Sequence, residues 1–384
     1  MTTQTTPISV KNVPSSNDND TPSTPSKRRR KRSPTQLVPA ILSLILLAAL
    51  VLSQSIFWAT RENLPLLLVQ EEQSWNTTTT TTTTTTNSNH TVYKFHKDLV
   101  RDSLTTVVTA YFQIGSKYPS ERYDNWMTNM LSTQDAMVIF TSQDYLSRMK
   151  ELRSHALNRT ILICMNLSQV PLATHYPMEF WNHQLQINPE RKRHKGYELF
   201  WIWLSKSWFI TKAISGNWFH STIFMWSDIG CYRNKQYNNA TITKFAQQLV
   251  PRHSILQMAH HSPNPPTDKL LWNNKLGEKR HFYHSGSQAI GYKDTWQTFH
   301  VEFGNTLADY MDADKFVGDD QVISQSTCLR NPNTCAYLPF DQVKDNHYFG
   351  LRYALHYGGN YTLWRPPGAN VTLEPISTIT TTTR

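Results

Sequence analysis

The sequence predicts an α/β fold, a mostly parallel sheet with helices on both faces. Three observations carry that reading. Short apolar runs of strand length alternate with longer helical patterns. One of the runs, TIFMWS, stops abruptly at Asp228, with Gly230 two residues on. The stretch that carries all of them, Ser103 to Trp364, is long enough for one large core.

The strand candidates are TTVVTAYF (105–112), AMVIFT (136–141), TILICM (160–165), TIFMWS (222–227), SILQMA (254–259) and HFYHSG (281–286). Several are continuously apolar, as strands covered on both faces must be. Helical patterns lie between them: YDNWMTNMLS (123–132), YLSRMKELRS (145–154), ELFWIWLSKSWFITKAIS (198–215), ATITKFAQQL (240–249) and KDTWQTFHVEFGNTLADYMDA (293–313). No internal repeat is present.

The ends have a different composition. Half of the formal net charge of +10 sits in the first 36 of 384 residues, which end in a KRRRKR run and predict a disordered basic tail. The rest is too dilute for a nucleic-acid surface. Residues 37–58 carry no charge and end in Phe57 and Trp58, which predicts one membrane span, an uncleaved signal anchor. The basic residues precede it, so residues after Trp58 are expected in the lumen or outside. Residues 59–102, with threonine at every position from Thr77 to Thr86, read as a stem. The folded domain is then 103–365, and 366–384 a disordered tail. Asn-x-Ser/Thr sequons, Asn158 and Asn239 among them, agree with a luminal domain.

The cysteines, Cys164, Cys231, Cys328 and Cys335, show no metal-ligand spacing. Cys328 and Cys335 flank a polar loop and can form a local disulfide in an oxidising compartment; the alternative is buried thiols throughout.

Asp228 is the first chemical candidate. A buried strand ending in a carboxylate delivers it to the edge of a sheet where ligands bind. A hard divalent cation, Mn²⁺ or Mg²⁺, takes such oxygens, which makes Asp228 a candidate metal ligand. The bland alternative is an aspartate capping the next turn. Asp319, Asp320 and Gln321, in FVGDDQV, open a helical stretch. They read either as a helix cap or as a general base and hydroxyl-binding groups. Lys206 and Arg233 can reach a diphosphate, or simply lie at the surface. His260, His261, His281, His284 and His300 are further metal-shell candidates, each more simply a core or surface histidine. No P-loop, G-x-G-x-x-G or G-x-S-x-G motif occurs.

With these residues laid out, LSKSWFITKAISGNWFHSTIFMWSDIG resembles the central block of the HtrL/YibB family. The matching positions are Lys206, Asn217, Phe219, Trp226, Asp228 and Gly230, while Ser227 stands where an apolar residue is expected. YFQIG with Arg122 and Tyr123, SGSQAIG (285–291) and GDDQ (318–321) are similar to further blocks. The resemblance implies a GT-A-like (nucleotide-diphospho-sugar transferase) fold and a glycosyltransferase moving sugar from a nucleotide donor to a glycan or glycoprotein; the layout of basic tail, span and stem adds the expectation of a Golgi or other secretory membrane. It adds Asn217 and Trp226, with Lys206, Arg233 and Gln321, as substrate-binding candidates. Asp319 and Asp320 are the catalytic candidates. In that fold Asp-x-Asp holds the cation, and here Gly230 fills the second position. A non-catalytic glycan-binding or structural membrane glycoprotein is the alternative.

Overall fold

The structure is a computed structural model. It describes residues 84–85, 90–115, 118–192, 196–260, 284–346 and 348–370. The basic tail and the span expected over 37–58 lie outside the described residues. So do most of the stem, His261, His281 and the end of the C-terminal tail. No helix among the described residues is long and apolar enough to cross a membrane.

Nine strands among the described residues form one sheet. They are β1 (Thr84–Thr85), β2 (Thr91–Lys94), β3 (Thr105–Tyr111), β4 (Ala136–Thr141), β5 (Thr160–Cys164), β6 (Ile223–Ser227), β7 (Ile255–Ala259), β8 (His284–Tyr292) and β9 (Cys335–Pro339). Their order is β1-β2-β5-β4-β3-β6-β8-β7-β9. The expected parallel arrangement holds from β5 through β6 and again for β7 with β9. The sheet as a whole is mixed, because β8 runs antiparallel between β6 and β7, and β2 runs antiparallel along β5.

Strand alternation builds a core on each face. Phe224 and Trp226 of β6 join one apolar cluster with Val108 and Ala110 of β3. Ile223 and Met225 join the other with Val107. The period of two forces this division. The first face is covered by helices α4 (Met178–Ile187), α5 (Glu198–Leu204), α6 (Lys206–Gly216), α8 (Lys293–Asp312) and α9 (Asp320–Arg330). The short α3 (Pro171–His175) adds to it. The second face is covered by α1 (Ser120–Leu131), with α2 (Leu146–Leu152), α7 (Ala246–Leu249) and α10 (Leu351–Tyr357).

Three expectations change. The pattern over 198–215 is two helices, broken at Ser205, so Lys206 begins a helix instead of lying within one. The pattern over 240–249 is helical only from Ala246, because Asp135 captures the backbone before it. Its carboxylate accepts from Ile242 N at 2.8 Å and from Thr243 N and Oγ1 at 2.9 and 2.7 Å. Strand β2 lies inside the stretch read as stem and pairs with β5, so the folded domain begins before Ser103.

Cys328 and Cys335 form a disulfide that ties the last turn of α9 to β9, while Cys164 and Cys231 are buried thiols. The closed loop is short, so the cross-link removes only modest entropy from the unfolded chain. Replacing both cysteines by serine is expected to cost about 2–3 kcal/mol, read as a lower midpoint in urea.

Candidate functional site

The carboxyl ends of β3, β4, β5 and β6 lie along one edge of the sheet, and the start of β8 lies beside the end of β6. Asp228 follows β6 directly. Its backbone N–H donates to Ser287 O at 2.9 Å, which locks the turn to β8. Ser227, the small departure from the apolar pattern, has a reason: its hydroxyl accepts from Gln288 Nε2 at 3.2 Å across the strand pair.

Lys206 is the centre of the site. It is 9% exposed. Its Nζ lies 3.0 Å from Asp228 Oδ1 and 2.7 Å from Asp320 Oδ2, and donates to Gly286 O at 2.8 Å. An ammonium has three protons, and three acceptors surround this one. A cation at the first position of α6 opposes the helix dipole, and the carboxylates outweigh that cost. Burial pulls the Lys206 ammonium down, but Asp228 and Asp320 together hold it above its ordinary value. Lys206 is therefore a positioning cation. To bind a diphosphate it would have to release one of these bonds.

Trp226, expected to touch substrate, is 1% exposed. Its indole lies stacked on Phe209, 5.8 Å between centroids, and its Nε1 donates to Asp228 Oδ1 at 2.7 Å. It orients the carboxylate from beneath. Asp228 Oδ1 is thus committed twice. Its Oδ2 has no partner among the described residues, and a third of the side chain is exposed, which leaves that oxygen to a ligand.

Asp320 begins α9. Its carboxyl is pushed up to about 7, first by burial and then by Asp319 and Asp228, against the pull of Lys206. One ammonium cannot balance two carboxylates in a dry site, and Asp320 is the more buried of the two. Asp319 caps α9, accepting from Gln321 N at 3.0 Å, so the helix-cap reading describes its geometry. Gln321 donates to His284 O at 2.8 Å, which spends its amide on backbone.

Two glycines make the approach possible. A Cβ at Gly286 would lie 2.6 Å from Asp320 Oδ2 and 2.7 Å from Gln321 Cγ. Since Lys206 pins Asp320, neither can yield freely. Gly286→Ala is expected to cost about 1–3 kcal/mol and at least tenfold in ligand binding, checked by thermal melting and titration. At Gly230 a Cβ would come within 3.3 Å of the Trp126 ring and 3.5 Å of Tyr123. A side chain there would press on the Trp126 ring.

The other expected residues lie apart. Asn217 ends α6 at φ +29°, about 16 Å from Lys206 along the helix at ~1.5 Å per residue. The helix rise separates what the sequence block lists together. Arg233 is exposed, with its guanidinium 4.6 Å from the Trp126 ring and 4.7 Å from that of Phe349. His300 is buried, its Nδ1 2.8 Å from Ser207 Oγ. His284 is fully buried and pushed down to about 3, first by burial and then by His260, so it stays neutral. His260 packs edge-on to Tyr348.

The divalent cation expected at Asp228 does not fit this donor set. The point between the two carboxylates is held by the Lys206 ammonium, whose charge repels a second cation. Among the described residues, no group of three His, Cys, Asp or Glu is arranged to hold a metal.

The sequence reading missed Arg352. It is buried in α10, donates to both oxygens of Asp345 at 2.9 and 3.2 Å and to Cys231 O, and so backs the 228–232 turn. Only the run YFGLRYALHY marks it, and that pattern reads as a surface arginine.

The profile of the HtrL_YibB family, described as a bacterial protein of unknown function, matches residues 103–336. The chain belongs to the HtrL_YibB family. The family match takes in Lys206, Asp228, Gly286 and Asp319 to Gln321, and with them Arg122 and Arg233, but not α10 or the segment before it. Among solved structures the chain is similar to the apo crystal structure of mouse xyloside xylosyltransferase 1. The identity is 9% and the TM-score 0.32, over 60% of this chain and 83% of that one. No curated protein matches it.

Proposed function

We propose that this HtrL_YibB domain is a glycosyltransferase of GT-A-like design, moving a sugar from a nucleotide-sugar donor to a hydroxyl of a glycan or glycoprotein. One observation carries the reading. Asp228 and Asp320, from separate elements, converge on a single buried ammonium at the carboxyl edge of the sheet. Ligands of open α/β sheets bind at that edge. Asp228 Oδ2 accepts hydroxyls of the donor sugar. Asp320, poised near neutrality, takes the proton of the acceptor hydroxyl as general base. Lys206 and Trp226 hold Asp228, Gly286 admits Asp320, and Arg233 faces the charged part of the donor.

The domain works on the luminal side of a secretory membrane such as the Golgi, anchored as a type II protein through 37–58. The Cys328–Cys335 disulfide suits an oxidising compartment. The layout of basic tail, apolar span and Thr-rich stem supports the same topology.

A second reading, a glycan-binding protein without turnover, is favoured by one feature: every proton of Lys206 is already committed. Thermal melting of the full-length chain with UDP-, GDP- and CMP-sugars separates the two, together with release of nucleotide diphosphate. A true donor at about 100 times its Kd adds about 2.7 kcal/mol, a rise of several degrees, and is consumed. Asp228→Asn abolishes the consumption with the fold intact. A glycan that raises the melting point, with no donor consumed, supports the second reading instead.

A further inference from the structure

On the far side of the Asp228 turn, Tyr118, Tyr123 and Trp126 pack edge to face, with centroids 5.2 to 6.3 Å apart. Gly230 lies against Tyr123 and Trp126, which brings this cluster up to the turn. Two arginines lie against Tyr118. The Arg122 guanidinium lies 5.5 Å from its ring and that of Arg233 lies 5.8 Å. Arg233 also lies over Trp126 and Phe349. Neither guanidinium is in an ion pair among the described residues. The neighbouring acids do not answer them: Asp124 is engaged at both oxygens by Arg148, at 3.2 and 3.0 Å, and Glu121 is an exposed side chain. Rings that cover the faces of a guanidinium leave its N–H edge for an acceptor.

The same place is the start of α1, a helix of 12 residues whose N-cap, Pro119, supplies no side-chain acceptor. Its first amide groups and its dipole favour an anion. Two guanidiniums and a helix start exceed what one carboxylate needs. They suit a diphosphate, with a charge on each phosphoryl group and several acceptor oxygens. At Asp228 the charge that commonly neutralises a diphosphate, a divalent cation, is displaced by Lys206.

We infer that Arg122 and Arg233, both packed against Tyr118 at the start of α1, seat the diphosphate of the nucleotide ligand and do so without a metal ion. The inference rests on the reading above that the ligand is a nucleotide-sugar. It assigns the charged half of the ligand to the α1 side of the turn and the sugar to the Asp228 side.

The test titrates inorganic pyrophosphate into the full-length chain in EDTA, followed by tryptophan fluorescence, since Trp126 lies beneath Arg233. Saturable binding is expected, with Arg122→Ala and Arg233→Ala each weakening it at least tenfold and Arg233→Lys less. Asp228→Asn should stay within twofold. Melting curves for each variant confirm that it is folded, and Arg233→Lys keeps the charge should the alanine variant fail. Wild-type affinity in Arg122→Ala/Arg233→Ala overturns the assignment. So does binding that appears only with Mn²⁺, or loss of pyrophosphate binding in Asp228→Asn. Glucuronate competing as well as pyrophosphate for the arginines also overturns it, and assigns the seat to an acidic sugar. Should arginine-dependent pyrophosphate binding stand while no nucleotide-sugar is consumed, the transferase reading falls and the anion seat survives.

Discussion

Lys206→Met is expected to destabilise the domain by about 3–5 kcal/mol, the range for removing one partner of a buried ion pair. Methionine fits the volume of the stem, so packing against Trp226 survives and the loss is electrostatic. Without the ammonium, Asp320 either keeps its proton or, at higher pH, confronts Asp228 with no cation between them, and Gly286 O loses its donor. The double variant Lys206→Met/Asp320→Asn separates this from mere loss of a contact. It removes one of the two carboxylates and should recover a substantial part of the stability. Equal destabilisation of the single and double variants in urea well above the pH at which Asp320 ionises would show that the charge balance is not what Lys206 supplies. Lys206→Arg should not rescue the loss. A guanidinium is planar and larger, and the three acceptors here surround a point.

The convergence on Lys206 was half legible in the chain. TIFMWS ended on Asp228 because a buried strand must stop where its side chains meet water, and that is visible in one dimension. The lysine in an aromatic helix, SGSQAIG and GDDQ were each conspicuous alone. What the sequence could not show was that Gly286 and Asp320 meet Lys206, since nothing local records the crossing of β8 between β6 and β7. The break at Ser205 has no glycine or proline to announce it, yet it turns Lys206 into the first residue of α6. Strand β9 escaped notice for a similar reason. CAYLP is short, ends in proline and follows a polar loop, and only its pairing with β7 makes it a strand. The Asp135 carboxylate overrode a good helical pattern at 240–245, a tertiary contact defeating local propensity. Local signals placed the strands; the ionic core of the site depended on contacts between segments distant in the chain.

Asp320 provides the second large expected effect, a pH dependence that its asparagine variant should remove. In the unfolded chain its carboxyl titrates near 3.8, and in the folded protein near 7. The folded state therefore keeps a proton between those values that the unfolded state releases. Stability contributed by the protonated form is complete below the lower value and is lost as pH rises through the upper one. Wild type minus Asp320→Asn should show this loss in urea midpoints between about pH 4 and 7, flattening above. A carboxylate stabilised by its ion pair would give the opposite slope, stability gained as pH rises, and would mean that Lys206 outweighs burial at Asp320. Activity should move the other way from stability. A general base must be ionised, so donor consumption is expected to rise with an apparent pKa near that of the folded carboxyl, about 7. Asp320→Asn should lose the consumption while leaving pyrophosphate binding in place, because the base and the anion seat lie on opposite sides of the Asp228 turn.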